Sequence, residues 1–215
     1  MRYRQLVPVL FVVAAACKKD DAAPTPPITP SPSSTISDFS LLETGNYWVY
    51  QRSALDTAGN VSNMTSNMDS LFISGTTEMN GNTWAILSKA LNGTVIPGME
   101  ELRRDSADCV VDGNGEIVFR YGVFDQPAFT TVEPTVFEYD WYVSGVTTPI
   151  TVPAGTFDAH ALNCEVTQVG PLVPPPSDRD FVSWWASGTG KVRDDQYYYS
   201  SGTGVRRDLV RYLVQ

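Results

Sequence analysis

An all-β domain with a minor helical contribution is predicted for most of this 215-residue chain, on three observations. After residue 45 nearly every segment is a short run rich in β-branched and aromatic side chains, often alternating with polar ones. Gly, Asn, Asp or Pro separates these runs at short intervals, as turns require. Signals for helix starts and stops are scarce. Together they point to a strongly curved antiparallel sheet, a partly open barrel or a two-layer sandwich, among which the pattern does not choose.

The clearest strands fall at residues 47–51, 70–74, 83–88, 109–111, 116–121, 136–143, 159–169, 181–186 and 207–214. In 136–143 the order Phe137, Tyr139, Trp141, Val143 puts apolar groups on one face and Glu138 and Asp140 on the other, as a half-solvated antiparallel strand requires. Asp112-Gly113-Asn114-Gly115 has the residue chemistry of a tight hairpin needing positive φ. It fails as a calcium loop, because Ile117 stands where the loop glycine belongs and Val123 where the twelfth-position glutamate belongs. Pro153 and Gly155 form a turn into the strand that follows, and Gly188 and Gly190 permit a bend or bulge beside Trp184 and Trp185. Ser37-Asp38 is expected to cap a short turn through Phe39, Leu41 and Leu42 that ends near Gly45, and residues 100–104 a second brief helix.

Ahead of this domain the chain reads as an export signal over residues 1–16. Arg2 and Arg4 give a positive start, Leu6 to Val13 an apolar stretch, and Ala14-Ala15-Ala16 a small-residue cleavage site. The apolar run contains Pro8 and falls well short of the ~20 residues a membrane-spanning helix needs. Residues 17–35 form a tether with five prolines among Ala, Thr and Ser in 22–34, which cannot bury apolar surface and extends as a spacer. Residues 36–215, about 180 in number, suit a single domain with a real core. The proline-rich stretch 171–176 is read as an internal loop.

The chain carries 15 basic and 24 acidic residues. Without Arg2 and Arg4, which leave with the signal, 13 basic residues face 24 acidic ones, a net of −11. Such a balance repels nucleic acid and anionic headgroups and keeps an exposed protein soluble. Beyond Cys17, Cys109 and Cys164 remain. In an oxidising compartment they could form one disulfide, worth about 4 kcal/mol by closing a loop of some 55 residues, or stay as two buried thiols.

Ala14-Ala15-Ala16-Cys17 resembles the lipobox of bacterial lipoproteins. The resemblance implies that Cys17 is acylated, becomes the first mature residue and anchors the protein to a membrane, multiple acyl chains being needed for stable anchoring. Lys18-Lys19-Asp20-Asp21 resembles the surface-export signal of Bacteroidetes lipoproteins, which implies the outer membrane and its exposed face. Four further stretches, GNYWVY at 45–50, VPAGTF at 152–157, WASGTGKV at 185–192 and LVRYLV at 209–214, resemble a family of uncharacterised Bacteroidetes lipoproteins. Thr189 departs from the Val usual in the third. The resemblance implies a β-rich envelope protein. Asp56-Thr57-Ala58, Asp69-Ser70-Leu71 and Asp105-Ser106-Ala107 resemble the Bacteroidetes O-glycosylation acceptor, which makes Thr57, Ser70 and Ser106 candidate modification sites.

No catalytic constellation is legible. The chain has one histidine, His160, in a strand-like run between Ala159 and Ala161, whereas Ser or Cys nucleophiles need a base beside them. Two cysteines and one histidine without ligand spacing do not make a zinc site. Neighbouring acids such as Asp194-Asp195 point apart on a strand and cannot flank a glycosidic bond. No phosphate loop or dinucleotide fingerprint is present, so no cofactor is expected. The aromatics Tyr47, Trp48, Trp184 and Trp185 are candidates to stack on a sugar or line an apolar pocket, with sheet packing as their default role. The expectation is therefore a non-enzymatic lipoprotein whose β domain binds a glycan, an apolar ligand or a protein partner. The alternatives are an assembly component of an outer-membrane complex recruited at a sheet edge and an envelope hydrolase using carboxylates distant in sequence.

Overall fold

The structure, a computed structural model, describes residues 34–133, 136–169, 181–198 and 201–215. The signal, Cys17, most of the tether and the loop at 171–176 lie outside the described residues. No described helix is long and apolar enough to cross a membrane. The described residues hold one helical turn, α1 (Ser37–Ser40), and fourteen strands. The first seven are β1 (Tyr47–Leu55), β2 (Val61–Met79), β3 (Asn82–Leu91), β4 (Thr94–Val95), β5 (Glu101–Ser106), β6 (Cys109–Asp112) and β7 (Ile117–Arg120). The others are β8 (Pro127–Glu133), β9 (Phe137–Val143), β10 (Thr148–Val152), β11 (Gly155–Gln168), β12 (Phe181–Ala186), β13 (Gly190–Tyr197) and β14 (Gly204–Leu213).

All fourteen belong to one antiparallel sheet with the order β7-β6-β5-β3-β2-β1-β14-β13-β12-β11-β9-β8, β4 pairing with β3 and β10 with β11 off this path. The sheet curls until it is nearly a closed barrel, so of the three predicted architectures the open barrel is the one formed. Its two end strands, β7 and β8, are consecutive in sequence and come round to face each other. There the Arg120 guanidinium donates from Nη1 to the Ala128 carbonyl at 3.0 Å and from Nε to Asp108 at 2.8 Å. At the opposite point of the ring β1 pairs with β14, bringing Tyr47 against Leu213 and Leu55 against Gly204.

The turns form where the residues allow them. At the β6–β7 hairpin Asp112 accepts at Oδ1 from the amides of Asn114 and Glu116, both at 2.9 Å, an Asx arrangement that replaces ladder bonds. Pro153-Ala154 makes a two-residue turn with Val152 opposite Gly155. The Gly188 to Gly190 stretch turns β12 into β13, and the register slips beside Trp184 and Trp185 as expected for a bulge.

Two expectations are corrected. Residues 100–104 are no helix, because Glu101–Ser106 is the strand β5, with Arg103 opposite Ala85 of β3 and Asp112 of β6. Its run of charges carries no alternation because both faces hold polar groups: Glu101 and Arg103 line a cavity in the barrel, while Arg104 lies over the Trp84 ring. The turn forms over Ser37–Ser40, but without a side-chain cap: the N-cap position is Ile36, and the Asp38 carboxylate instead accepts from the Thr35 amide at 2.6 Å. In β9 Phe137 and Val143 are buried while Tyr139 and Trp141 are half-buried.

The interior is packed by two apolar clusters. One gathers Phe39, Phe119, Phe129, Val143 and Leu162, the other Trp48, Tyr50, Ile73, Val192 and Leu209. Behind the second, β10 lies against β13 and β14, with Arg193 donating to the Thr151 carbonyl at 2.9 Å and Ala154 N to the Leu209 carbonyl at 3.0 Å. Fully buried Asn46 ties the segment after α1 to the end of the sheet: Nδ2 donates to the Leu41 carbonyl at 2.8 Å and Oδ1 accepts from Gln215 N at 3.0 Å. The preceding Gly45 has φ +99°, and a Cβ there would lie 2.9 Å from the Gln215 side chain. That explains why a glycine and an asparagine open this strand.

Candidate ligand cavity

Alternation along the strands aims one set of side chains into the barrel. Trp48 and Tyr50 of β1, Leu71 and Ile73 of β2, Leu87 and Lys89 of β3, and Glu101 and Arg103 of β5 are each two residues apart, and all of them line one cavity of about 470 Å³. Lys191 and Gln196 of β13 and Arg207 of β14 complete its polar side, and Phe39 and Leu42 close it beside α1. A second hollow of about 470 Å³ adjoins it, sharing Lys191 and Gln196 and bounded by Tyr139, Trp141 and Phe181.

The charged groups at the cavity form two clusters. Lys89 and Arg103 each bond a different oxygen of Glu101. Arg207 donates to Oδ2 of Asp194, directly opposite it in the β13–β14 ladder, and Lys191 Nζ lies 3.6 Å from the same oxygen. Burial opposes ionisation of Glu101, but the hydrogen bonds and charges of Lys89 and Arg103 outweigh it and hold the carboxyl below its ordinary range. Asp194, only 7% exposed at its side chain, is likewise held low, with Lys191 and Arg207 overcoming the burial penalty. Burial pulls the Lys191 amine below the usual lysine range; Asp194 offsets part of this, while Arg207 and Arg103 add to it. The Tyr50 phenol is raised, by burial and then by the Asp194 charge, so it stays a protonated donor, and it bonds the Lys191 carbonyl at 2.8 Å.

Of the four aromatics singled out in the sequence, Trp48 and Trp185 line the cavity and Tyr47 and Trp184 do not. Trp48 is buried and donates from Nε1 to the Thr189 carbonyl at 2.6 Å. Trp185 stacks on Phe119 with centroids 4.6 Å apart and donates to Ser183 Oγ at 2.9 Å. Trp184 carries the Arg193 guanidinium 5.9 Å from its ring centre. Gly190 is required where these parts meet: its φ is +84°, and a Cβ would lie 3.3 Å from the Phe39 carbonyl and 3.5 Å from Trp48 Nε1.

The remaining sequence candidates lie elsewhere. His160 is buried, its Nδ1 2.8 Å from the Ser144 carbonyl and its ring packed among Phe39, Tyr121 and Phe124. Cys109 is half-buried and Cys164 buried, on two strands that are not neighbours in the sheet. Cys109 is on β6, where Sγ donates to the Ser106 carbonyl at 3.0 Å, and Cys164 is on β11 opposite Trp141 and Phe181. Burial, then Asp108, pushes the Cys109 thiol up, which disfavours the nucleophilic thiolate. Thr57 is exposed in the β1–β2 turn, whereas Ser70 is half-buried within β2 and Ser106 half-buried at the end of β5. Cys17 lies outside the described residues. Among those described, no group of three or more His, Cys, Asp or Glu could hold a metal.

Sequence reasoning missed Lys89, Glu101, Arg103, Lys191, Asp194 and Arg207. The one signal that could have found them is the i, i+2 spacing of Leu87 with Lys89 and of Glu101 with Arg103, which places charge where an inward face is expected.

No family model matches the chain, and no curated protein matches it. Among solved structures it is similar to a Bacteroides fragilis protein assigned as exported and as having a YmcC-like fold, at 14% identity, covering 80% of this chain and 96% of that one with a TM-score of 0.46. It is also similar to a Parabacteroides distasonis protein assigned as a lipoprotein, at 15% identity, covering 84% of this chain and 100% of that one with a TM-score of 0.47.

Proposed function

We propose that this chain is an outer-membrane lipoprotein, anchored through acylated Cys17, whose barrel holds a small apolar or amphipathic ligand without transforming it. The cavity carries the reading. A barrel of this kind can be filled by side chains, as the region around Phe39 and Phe119 is, yet beside Trp48, Leu71, Ile73 and Leu87 a space of about 470 Å³ stays open. That lies within the roughly 300–1,000 Å³ of small-molecule sites, and its aromatic and aliphatic floor with a few polar groups matches their usual make-up. The non-enzymatic part is supported by the pairing of the acids: Glu101 is bonded by Lys89 and Arg103, and Asp194 by Arg207 with Lys191 beside it, so neither is placed as a general acid. Edge recruitment of an assembly partner has less support, because β7 and β8 lie beside each other across the Arg120 contact.

Titration of the purified protein with the apolar fluorophore N-phenyl-1-naphthylamine tests the cavity. The wild type is expected to bind it saturably and Leu87→Trp, which fills the space, to bind it weakly or not at all. Equal binding by both proteins would remove the cavity as the site. Replacing Cys17 by Ser is expected to release the protein from membranes, and continued partitioning would remove the anchor.

A further inference from the structure

The cavity has more positive charge than its own acids neutralise. Lys89, Arg103, Lys191 and Arg207 gather around Glu101 and Asp194, four cations to two carboxylates, in a chain whose net charge is −9. Each acid is already shared by two cations. Lys191 feels the charges of both Arg103 and Arg207, so the excess is concentrated at one place.

The geometry of Arg103 adds a second observation. Its Nη2 bonds Glu101, while its Nη1 is buried and has no hydrogen-bond partner among the described residues. Nη1 is screened from the cavity as it stands, as is Nε of Arg104 outside it, so what Arg103 offers a ligand is the charge of a guanidinium that lines the cavity. A guanidinium fork matches carboxylate and phosphate oxygens better than hydroxyls or apolar groups. Across the same cavity Trp48, Leu71 and Ile73 offer an apolar wall.

We propose that the ligand is a single-chain amphiphile with an acidic head, a carboxylate or a phosphate, seated against Arg103 and Lys191 with its apolar chain along Trp48, Leu71 and Ile73. The proposal rests on the ligand-binding reading above and adds the charge of the ligand. A neutral ligand would leave the cation excess uncompensated; a cationic one would add to it.

The test compares four probes of equal chain length, dodecanoate, dodecyl phosphate, dodecanol and dodecylamine, by tryptophan fluorescence and calorimetry. One or both acids should bind at least about tenfold more tightly than dodecanol, the gain expected of one charge-assisted hydrogen bond, and the stronger acid identifies the head. Arg103→Met is expected to bring the ratio of acid to dodecanol affinity most of the way to one, and an unchanged ratio overturns the role of Arg103. Arg104→Met, which alters a guanidinium 5.0 Å from the Trp84 ring centre and away from the cavity lining, should leave that ratio as it is. Should Arg103→Met not fold, Lys191→Met and the salt dependence of the wild type take its place. Acid binding should then weaken above the ~0.15 M physiological salt level while dodecanol binding holds. Equal affinity for dodecanol and both acids overturns the acidic head and leaves the cavity reading standing. Failure of all four probes to bind overturns both.

Discussion

The two sides of the barrel interior solve the same problem in opposite ways. Around α1, Phe39 is 1% exposed and meets Phe119 at 5.4 Å and Tyr121 at 4.6 Å, while Trp185 stacks on the far face of the cluster, so apolar rings occupy the interior. A few residues away, the strands β1, β2, β3 and β5 present equally inward positions, yet the interior there is open and rimmed by charge. One side is filled by contact between rings; the other keeps an apolar wall of Trp48, Tyr50 and Ile73 but leaves space before it, rimmed by ion pairs whose cations are partly exposed. The same sheet thus contains a part that resists change and a part able to admit something, and the boundary between them runs through Trp48, Gly190 and Phe39.

The comparison breaks most easily at Phe39. Phe39→Ala is expected to lower stability by about 4 kcal/mol, in the range for losing a fully buried aromatic, as measured by urea unfolding. A loss below about 1 kcal/mol would show that the ring is not what fills that side. Next in size is Arg207→Met, which leaves Asp194 buried with only Lys191 beside it. The expected cost is about 2 kcal/mol, less than for a fully buried pair because Arg207 is partly solvated. The double variant Arg207→Met with Asp194→Asn should recover part of that loss, and a simple sum of the single effects would show the pair to be uncoupled.

Acid separates the two sides more gently. Glu101 and Asp194 have folded-state pKa values below their unfolded ones, so their contribution is complete above the ordinary carboxylate range of about 4. It is lost as the pH falls through the depressed folded values. The melting temperature should therefore fall on acidification, and fall less in Glu101→Gln than in the wild type; equal slopes would detach Glu101 from the effect. Smallest of all is Leu87→Phe. Added volume inside a packed core usually costs about 1–3 kcal/mol, but here the side chain grows into open space, so a change within about 0.5 kcal/mol is expected on the same unfolding curve.

Legibility in the sequence followed the same boundary. The strands whose outer residues are polar and inner ones apolar announced themselves, and so did turns with special chemistry, such as Asp112 to Gly115 and Pro153-Ala154. β5 did not, because Glu101 and Arg103 carry charge inward while Arg104 carries it onto Trp84, which leaves no apolar period to detect. β13 was hidden similarly by Lys191, Asp194 and Asp195, whose partners Arg207 and Arg206 become visible only when the β14 register is known. Trp48 and Trp185 were legible as candidates, but no more so than their neighbours Tyr47 and Trp184, because which of two adjacent aromatics points inward depends on the strand register. The cation cluster was not, because its members are drawn from four strands spanning residues 89 to 207 and meet only through the curvature of the sheet.

The pairing of β1 with β14 also bears on how the protein is made. β14 occupies the middle of the sheet, between β1 and β13, so a growing polypeptide possesses two unconnected half-sheets until residue 213 has left the ribosome. Joining strands this far apart along the chain carries a large entropic cost and is slow. Until β14 is available the two arms can form only as separate ladders, so the curved interior, with the cavity that Arg207 helps to line, is completed last.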